Sequence, residues 1–467
     1  MRNFFRILII YIVAFTAMAC KNEQKPNIII LLADDAGYAD FGFMGCKDLD
    51  TPRLDEIAYD GVVFTDAHVS ATVCAPSRAG LLTGKYQQRF GFECNLPPKG
   101  IGIDVKERTI ANQLKNQGYN TIALGKWHVG ETEQFHPNQR GFDEFYGFLG
   151  GSRPYWFDKN TDVDGNHNAL LHNYSRVDFD GYLTDVLGDK AVEFIENCKG
   201  PFFMYWAPNA VHTPMHAKRD HLEKYTGHKR QKLAAMTWSL DENIGKITDK
   251  LKEKGIYDNT LIFFLSDNGG AANNSSNNAP LKGWKGNKYE GGHRVPFVVS
   301  WPEKISGGKN FNGLTSVFDI FQTSLKASGI NEDLSSDGVN LLPFLTNEKN
   351  GNPHELLFWR KDQMAGARHN DFKLIRLDDY GYRMYNLGND LGESIDIREN
   401  HPEEFDFLKK QLIEWEKEMA EPLWKEEHDW NKVTYEIHEA LMENRDANYL
   451  SPYEMNQFIE DKEKSTK

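Results

Sequence analysis

Short apolar runs that alternate with amphipathic stretches most strongly constrain the fold of this chain. The runs lie at residues 27–33, 121–124, 202–206, 261–265 and 295–301. They are too continuous for strands with one solvated face, and therefore predict buried strands. Between them, residues 109–116, 182–195 and 233–251 place apolar side chains on one helical face. Strands that alternate with helices predict an α/β sandwich, with helices flanking a large, mostly parallel sheet.

The pattern changes near residue 345, which predicts a second, smaller unit. Short apolar runs at 356–359, 372–376 and 383–385 are separated by Asp, Gly and Asn, as is typical of an antiparallel sheet. Apolar spacing then predicts a helix from about residue 403 to 419. We expect a large domain at 26–346, followed by a C-terminal α+β subdomain and tail at 347–467. The tail beyond Glu426 is polar and dotted with aromatic residues, and its charged end is expected to fray.

The N-terminus has the pattern of an export signal. Arg2 and Arg6 precede an apolar run at 7–19, too short for a comfortable membrane span but typical of a signal-peptide core. Small residues before Cys20 resemble a bacterial lipoprotein signal, with residues 20–25 as a tether; cleavage at an ordinary small-residue site is the alternative. We predict a signal peptide at 1–19 and export to the periplasm or cell surface. Membrane contact would occur only through a lipid on Cys20.

Composition excludes several classes of protein. A chain of 467 residues with 40% hydrophobic and 12% aromatic residues is not mainly disordered. A formal net charge of -14 argues against nucleic-acid binding, so an anionic substrate would need positive charge concentrated in its pocket. After Cys20 only Cys46, Cys74, Cys94 and Cys198 remain, which is sparse for a disulfide scaffold. Pairing of Cys46 with Cys94 stays open, because spacing does not decide it.

Cys74 lies at the predicted start of a helix. It opens the run Cys-Ala-Pro-Ser-Arg-Ala-Gly-Leu-Leu-Thr-Gly, in which Pro76 suits a first helical turn. Free N–H groups and the helix dipole favour negative charge at that position. For an arbitrary cysteine, the ordinary alternative is a buried structural residue.

Acidic residues follow two of the predicted strands. Asp34 and Asp35 follow the first strand, and Asp267 and Asn268 follow the run at 261–265. Ligands of α/β sheets lie at the carboxyl ends of strands, so these side chains are expected to meet. An all-oxygen set favours a hard cation, and irregular geometry favours Ca²⁺ over Mg²⁺. The alternative is a solvated acidic turn.

Basic residues and histidines occupy similar positions. Lys126 and His128 lie in Gly-Lys-Trp-His after a strand, and His212 lies in His-Thr-Pro after another. Lys285 lies in the glycine-rich stretch at 281–296. Each alone would be an ordinary surface or loop residue. In the same stretch, Glu290 and Arg294 predict a structural ion pair.

Together these segments resemble the formylglycine-dependent (type I) sulfatases, arylsulfatase-like members of the alkaline-phosphatase-like superfamily. The run Cys-x-Pro-Ser-Arg, followed by Leu-Leu-Thr-Gly-Lys, matches the family signature at every defining position. The segments at 125–128, 136–143, 281–296, 372–375 and 384–393 are also similar, so the resemblance covers residues 26 to about 424. Bacterial exported polysaccharide sulfatases are the most similar group.

The resemblance implies an alkaline-phosphatase-like fold and hydrolysis of sulfate esters. A separate formylglycine-generating (sulfatase-maturating) enzyme would oxidise Cys74 to formylglycine, whose geminal diol attacks sulfur. Arg78 would hold this nucleophile, and Lys126 and Lys285 would bind sulfate oxygens. His128 would accept the diol proton, and His212 would protonate the leaving alcohol. One Ca²⁺ ion would be bound by Asp34, Asp35, Asp267, Asn268 and the oxidised Cys74.

The expected substrate is a sulfated carbohydrate. Arg153, Tyr155 and Trp156, in one aromatic loop, and His216 are the predicted substrate contacts, with a purely structural loop as the alternative. Two other functions stay open. One is a phosphonate or phosphodiester hydrolase of the same superfamily. The other is an inactive lipoprotein that binds sulfated glycans.

Overall fold

A computed structural model describes residues 24–330 and 334–447. The predicted signal peptide, Cys20 and the charged C-terminal end lie outside the described residues. Within the described ranges, no helix combines the length and apolar character that a membrane span requires.

The strands and helices are numbered here in chain order. The strands are β1 Asn27–Ala33, β2 Val62–Phe64, β3 Ala67–His68, β4 Asn120–Lys126, β5 Glu144–Phe148, β6 Leu171–His172, β7 Ser175–Arg176, β8 Phe202–Ala207, β9 Thr260–Ser266, β10 Phe297–Ser300, β11 Lys309–Phe311, β12 Thr315–Ser316, β13 Leu356–Lys361, β14 Met364–His369, β15 Phe372–Leu377 and β16 Gly381–Asn386. The α-helices are α1 Pro52–Tyr59, α2 Cys74–Thr83, α3 Ile110–Asn116, α4 Leu183–Asn197, α5 Arg219–Lys224, α6 Gln231–Glu253, α7 Glu290–His293, α8 Asp319–Ala327, α9 Leu342–Leu345, α10 Pro402–Lys417 and α11 His428–Met442. Short 3₁₀ helices span Gly42–Met44, Gln87–Phe90, Glu133–Phe135, Pro137–Gln139 and Ala272–Asn274.

Ten strands form the central sheet, in the order β11-β2-β10-β9-β1-β8-β4-β5-β6-β7. Its middle, from β9 to β5, is entirely parallel. The predicted mostly parallel sheet is therefore confirmed. The run at 295–301 forms the shorter strand β10, which pairs antiparallel with both β9 and β2.

Helices cover both faces of the sheet, which explains the continuous apolar runs. Ile28 and Ile30 of β1 face one layer, where Ala75 and Ala79 of α2 pack. Ile29 and Leu31 face the opposite layer, which contains residues of α1, α4 and α6. Because strand side chains alternate, burial on both sides requires an apolar residue at every position.

The C-terminal part contains a four-stranded antiparallel sheet in the order β13-β14-β15-β16. Strand β14 was not predicted. Within the polar tail beyond Glu426, residues 428–442 form α11, a helix that the sequence did not predict. Val433, Ile437 and Leu441 lie on one helical face and pack in a buried cluster with Tyr289 and Tyr385. Three apolar residues four apart suffice for this helix because tertiary packing stabilises it.

Candidate active site

Side chains from four neighbouring strands meet at the carboxyl edge of the parallel sheet. Asp34 and Asp35 follow β1, Asp267 follows β9, and Lys126 ends β4. The loop after β8 brings in His212. Asp34, Asp35 and Asp267 are almost fully buried, with at most 2% of their surface exposed. The sheet topology thus brings together residues that are far apart in the sequence.

Cys74 begins α2 and faces these carboxylates. Its Sγ lies 3.7 Å from Asp34 Oδ1 and 3.1 Å from Lys285 Nζ. Asn95 Oδ1 accepts a hydrogen bond of 3.0 Å from the Ala75 N–H, and so satisfies a free donor of the first turn. Burial raises the pKa of the Cys74 thiol to about 12. An unmodified Cys74 is therefore protonated at neutral pH and is a poor nucleophile.

Three cations are interleaved with the three carboxylates. Lys126 Nζ lies 2.7 Å from Asp34 Oδ2, and Lys285 Nζ lies 2.7 Å from Asp35 Oδ1. Arg78 donates from Nε to Asp267 Oδ2 at 2.9 Å and from Nη1 to the Lys126 carbonyl at 2.9 Å. Burial alone would raise the pKa of Asp35. The neighbouring side chains of Lys285, His212 and Lys126 nevertheless hold that pKa well below its usual value.

His212 lies at the edge of this group. Its Nδ1 is 2.6 Å from the Thr213 carbonyl, and its Nε2 is 3.5 Å from Asp35 Oδ2. Burial, together with Lys285 and Lys126, lowers the pKa of His212 to about 4. The ring is therefore neutral at neutral pH, with a proton on Nδ1 and a lone pair on Nε2.

His128 is buried, and neither of its ring nitrogens has a hydrogen-bond partner among the described residues. Burial, with Lys126 and Arg78 nearby, lowers its pKa well below the usual value. A Cβ at Gly151 would lie 2.5 Å from His128 Nε2, so the glycine leaves room for the ring. A neutral imidazole with free nitrogens beside Cys74 can accept a proton.

The residues fit a hard cation. Ligand atoms of Asp34, Asp35, Cys74 and His212 all lie within 4.8 Å of one another. Asn268 donates from Nδ2 to Asp35 Oδ1 at 2.8 Å, while its Oδ1 is buried and has no partner within residues 24–330 and 334–447. An amide oxygen left free among carboxylates suits Ca²⁺ or Mg²⁺, both of which prefer oxygen ligands.

Two of the predicted substrate contacts have structural roles instead. Arg153 is buried in an ion pair with Asp162 at 2.7 Å. Tyr155 is fully buried, and its hydroxyl donates to the carbonyls of Asn209 and His212. The sequence shows that these residues are aromatic and basic, but it does not show that their side chains face inward. Tyr155 instead fixes the loop that carries His212.

Trp156 and His216 lie together, outside the lining of the cavity above Cys74. Their ring centroids are 5.9 Å apart, and 39% of Trp156 is exposed. Neither residue lines the cavity above Cys74. Both predicted contacts are therefore placed outside the cavity.

This cavity has a volume of about 770 Å³ and reaches from Cys74 to α11. Its outer wall includes Leu96, Trp284, Trp424 and Trp430, none of which was predicted as a site residue. The aromatic residues of the C-terminal tail were the available signal, although their position could not be deduced.

The alternative of a Cys46–Cys94 disulfide is wrong, since Cys46, Cys74, Cys94 and Cys198 are all free.

Comparison with known proteins assigns the chain to a family. The sulfatase family model matches residues 26–330. The chain belongs to the sulfatase family. It is therefore a sulfatase enzyme, and its predicted alkaline-phosphatase-like fold is confirmed.

Individual relatives agree with this assignment. Mouse N-acetylgalactosamine-6-sulfatase is 34% identical over 367 residues, which cover 72% of this chain and 69% of that protein. The uncharacterized sulfatase YdeN of Escherichia coli K12 is 32% identical over 74% of this chain and 70% of its own length. The crystal structure of Ps i-CgsB with k-i-k-neocarrahexaose matches with a TM-score of 0.82 and 36% identity, covering 89% of this chain and 98% of that chain.

Proposed function

We propose that this sulfatase removes sulfate from a carbohydrate, using formylglycine formed from Cys74 together with one Ca²⁺ ion. The arrangement around Cys74 carries the proposal, because its Sγ lies 3.1 Å from Lys285 Nζ beside two buried carboxylates at the base of a large cavity. The names of the mouse relative and of the Ps i-CgsB complex support a sugar substrate.

The basic side chains supply the anion site. Arg78, Lys126 and Lys285 balance the charges of Asp34, Asp35 and Asp267. A bound divalent cation would make the pocket net positive, and would polarise the sulfate and the side chain at position 74. Asp34, Asp35, Asp267 and Asn268 would hold that cation. Local positive charge would then attract an anionic ester despite the net charge of -14.

The two histidines have separate proton-transfer roles in this proposal. Water would add to the formylglycine aldehyde to give a geminal diol. One hydroxyl of the diol would attack sulfur and give its proton to Asp34, whose Oδ1 lies 3.7 Å from Cys74 Sγ, while the bond from sulfur to the ester oxygen breaks. His212 gives a proton from Nε2 to the leaving sugar oxygen, and so must first be protonated; the negative charge of the substrate favours that protonation. His128 then takes a proton from the second hydroxyl as sulfate leaves, which restores the aldehyde.

Export belongs to the same proposal. We infer that residues 1–19 direct secretion and that Cys20 carries a lipid, because small residues precede that cysteine. The maturation enzyme would be the protein partner, acting on the segment that begins at Cys74.

Turnover of three related esters tests the proposal. The protein is produced together with a maturation enzyme and assayed on aryl sulfate, aryl phosphate and aryl phosphonate esters. We expect sulfate esters to be preferred, no activity for Cys74→Ala, and retained activity for Cys94→Ala, a second buried cysteine. A preference for phosphonate would indicate the alternative hydrolase. Binding of sulfated glycans without turnover by the matured protein would indicate a binding protein.

A further inference from the structure

The cavity extends well beyond the pocket for a sulfate group. Its volume of about 770 Å³ lies within the range of sites that enclose a whole drug-sized ligand, roughly 300–1,000 Å³. The part nearest Cys74 is lined by charged side chains, whereas the outer wall contains Trp424 and, on α11, Trp430, Val433 and Ile437. These four residues lie beyond residues 26–330, the part matched by the family model. The composition of the two halves differs, so they bind different parts of a ligand.

Trp424 is fixed relative to the nucleophile. Its indole N–H donates to the Asn95 carbonyl at 2.9 Å, and its ring packs edge-on with Phe92 at 4.8 Å between centroids. The side chain of the same Asn95 accepts a hydrogen bond from the Ala75 N–H, next to Cys74. Trp424 remains half-buried and lines the cavity. A rigid aromatic ring at a set position is a preorganised binding surface.

Helix α11 is fixed relative to the loop that carries Lys285. The Lys288 N–H donates to Nε2 of the fully buried His438 at 3.0 Å, on the helix that also presents Trp430. His438 accepts at Nε2 because its Nδ1 is bonded to the Thr434 carbonyl at 2.8 Å. The aromatic wall and the sulfate-binding lysine are therefore held at a constant separation.

Charge in the outer half of the cavity is balanced. Lys361 is 3% exposed, and its Nζ lies 2.7 Å from Glu426 Oε2. Lys425 and Glu427, which also line the cavity, contribute one charge of each sign. The buried pair leaves no excess positive charge for a second anionic group, and a sulfate or carboxylate placed there would meet Glu426. This half therefore favours an uncharged group.

We propose that Trp424 and Trp430 bind an uncharged sugar ring attached to the sulfated one, so that the substrate is a saccharide chain with a neutral neighbour beside each sulfated unit. The apolar C–H face of a sugar packs on an aromatic ring, as apolar ligand groups do in aromatic-lined sites. This inference rests on the proposed function, and it specifies the substrate of that site.

Sulfate release from matched substrates tests this specificity. The substrates are a small aryl sulfate and two sulfated disaccharides, one with a neutral hexose and one with a hexuronic acid as neighbour. Trp424→Ala should lower kcat/KM about tenfold on the neutral disaccharide and by much less on the aryl sulfate. Trp424→Phe should restore part of the loss. Leu423→Ala, a control on the same segment with an exposed side chain outside the cavity, should change neither substrate.

A separate variant tests the prediction that the outer half of the cavity favours an uncharged sugar. The wild type should prefer the neutral disaccharide, and Glu426→Gln should shift the preference towards the uronic acid disaccharide. Equal losses on aryl sulfate and disaccharide in Trp424→Ala, or equal turnover of both disaccharides by the wild type, would overturn the inference.

Calorimetry separates this inference from the proposed function. The Cys74→Ala protein should bind the neutral sulfated disaccharide more tightly than the sulfated monosaccharide, and Trp424→Ala should remove the difference. If that result held while the matured wild type released no sulfate, the proposed function would fail and the sugar site would stand. Equal binding of both sugars by Cys74→Ala would contradict the sugar site itself.

Discussion

Two clusters of buried ionisable side chains in this protein invite comparison. The sulfate cluster comprises Asp34, Asp35, Asp267, Arg78, Lys126 and Lys285. The subdomain cluster joins the central sheet to the C-terminal sheet, and comprises Asp66, His68, Glu290, His293, Arg294, Arg368, Lys373 and Glu393. Asp34 and Asp35, with the adjacent Cys74 and His212, form a group compact enough to hold a metal ion, and so do His68, Glu290 and His293 of the subdomain cluster. Composition alone therefore does not distinguish the two clusters.

The clusters differ in whether their polar atoms are satisfied. In the subdomain cluster, Glu290 contacts Lys373 at 2.8 Å, Arg368 at 3.2 Å and Arg294 at 3.3 Å. Burial alone would raise the pKa of Glu290. The neighbouring side chains of Lys373, His68 and Arg368 nevertheless hold that pKa well below its usual value. Next to the sulfate cluster, Asn268 Oδ1 and both ring nitrogens of His128 have no hydrogen-bond partner in the described part of the chain. Cys74 and Lys285 line the cavity. In the subdomain cluster, Glu393 Oε1 has no hydrogen-bond partner among the described residues, but it lies 3.0 Å from Lys373 Nζ. Unsatisfied groups beside a cavity indicate a ligand site, whereas a cluster whose carboxylates are all ion-paired indicates structure.

The largest expected effect comes from removing one lysine from each cluster. Lys285→Ala should lower kcat roughly 100-fold to 1,000-fold, because a preorganised charge on the transition state is lost. Lys373→Ala should leave kcat per folded molecule nearly unchanged, but lower the free energy of unfolding by about 3–5 kcal/mol, since Glu393 loses the lysine paired with it and Glu290 loses one of its three cationic partners. Steady-state kinetics and denaturant unfolding of both variants measure this. A large loss of kcat in folded Lys373→Ala would erase the distinction between the clusters.

A second, smaller effect concerns the leaving group. His212→Ala should slow alkyl or sugar sulfates by about 100-fold, and activated aryl sulfates far less, because only poor leaving groups need a proton. Since burial lowers the pKa of His212 to about 4, its acid form becomes scarcer as pH rises. In the wild type, kcat/KM on poor leaving groups should therefore fall towards high pH, while activated esters show a flatter profile. Equal losses on both ester classes in the variant would refute the acid role.

The smallest expected effect is on thermal stability. Saturating Ca²⁺ should raise the Tm by a few degrees, because a ligand that binds only the folded state stabilises it. Asp267→Asn should remove this shift, whereas Glu393→Gln, an acid of the subdomain cluster, should preserve it. Thermal unfolding followed by circular dichroism with and without chelator measures the shift. A shift in Tm that survived Asp267→Asn but disappeared in Glu393→Gln would place the cation in the subdomain cluster instead of the sulfate cluster.

The sequence predicted that the side chains of the sulfate cluster meet, because its members lie beside local signatures. Asp34, Lys126 and Asp267 each directly follow or end a buried strand, and the parallel topology brings such ends together. Burial of Glu290 with Arg294 was also predicted, and the pair is observed at 3.3 Å. Both predictions depend on short segments whose geometry is set locally.

The outer wall of the cavity could not be predicted, because its residues are brought together only by tertiary packing. Trp424 is held at the site by a hydrogen bond from its indole N–H to the carbonyl of Asn95, which lies 329 residues earlier in the chain. Helix α11 forms because its apolar face packs on Tyr289 and Tyr385, although the segment is polar overall. The inward orientation of Arg153 and Tyr155 likewise follows from buried partners that no local pattern reveals.

The central claim is that Cys74 becomes the nucleophile. Mass spectrometry of the peptide containing Cys74, from protein purified out of its native host, tests this most directly. We predict the mass of an aldehyde in place of the thiol, and reaction of that peptide with a hydrazide probe. An unmodified Cys74 thiol in protein that nevertheless releases sulfate would contradict the account.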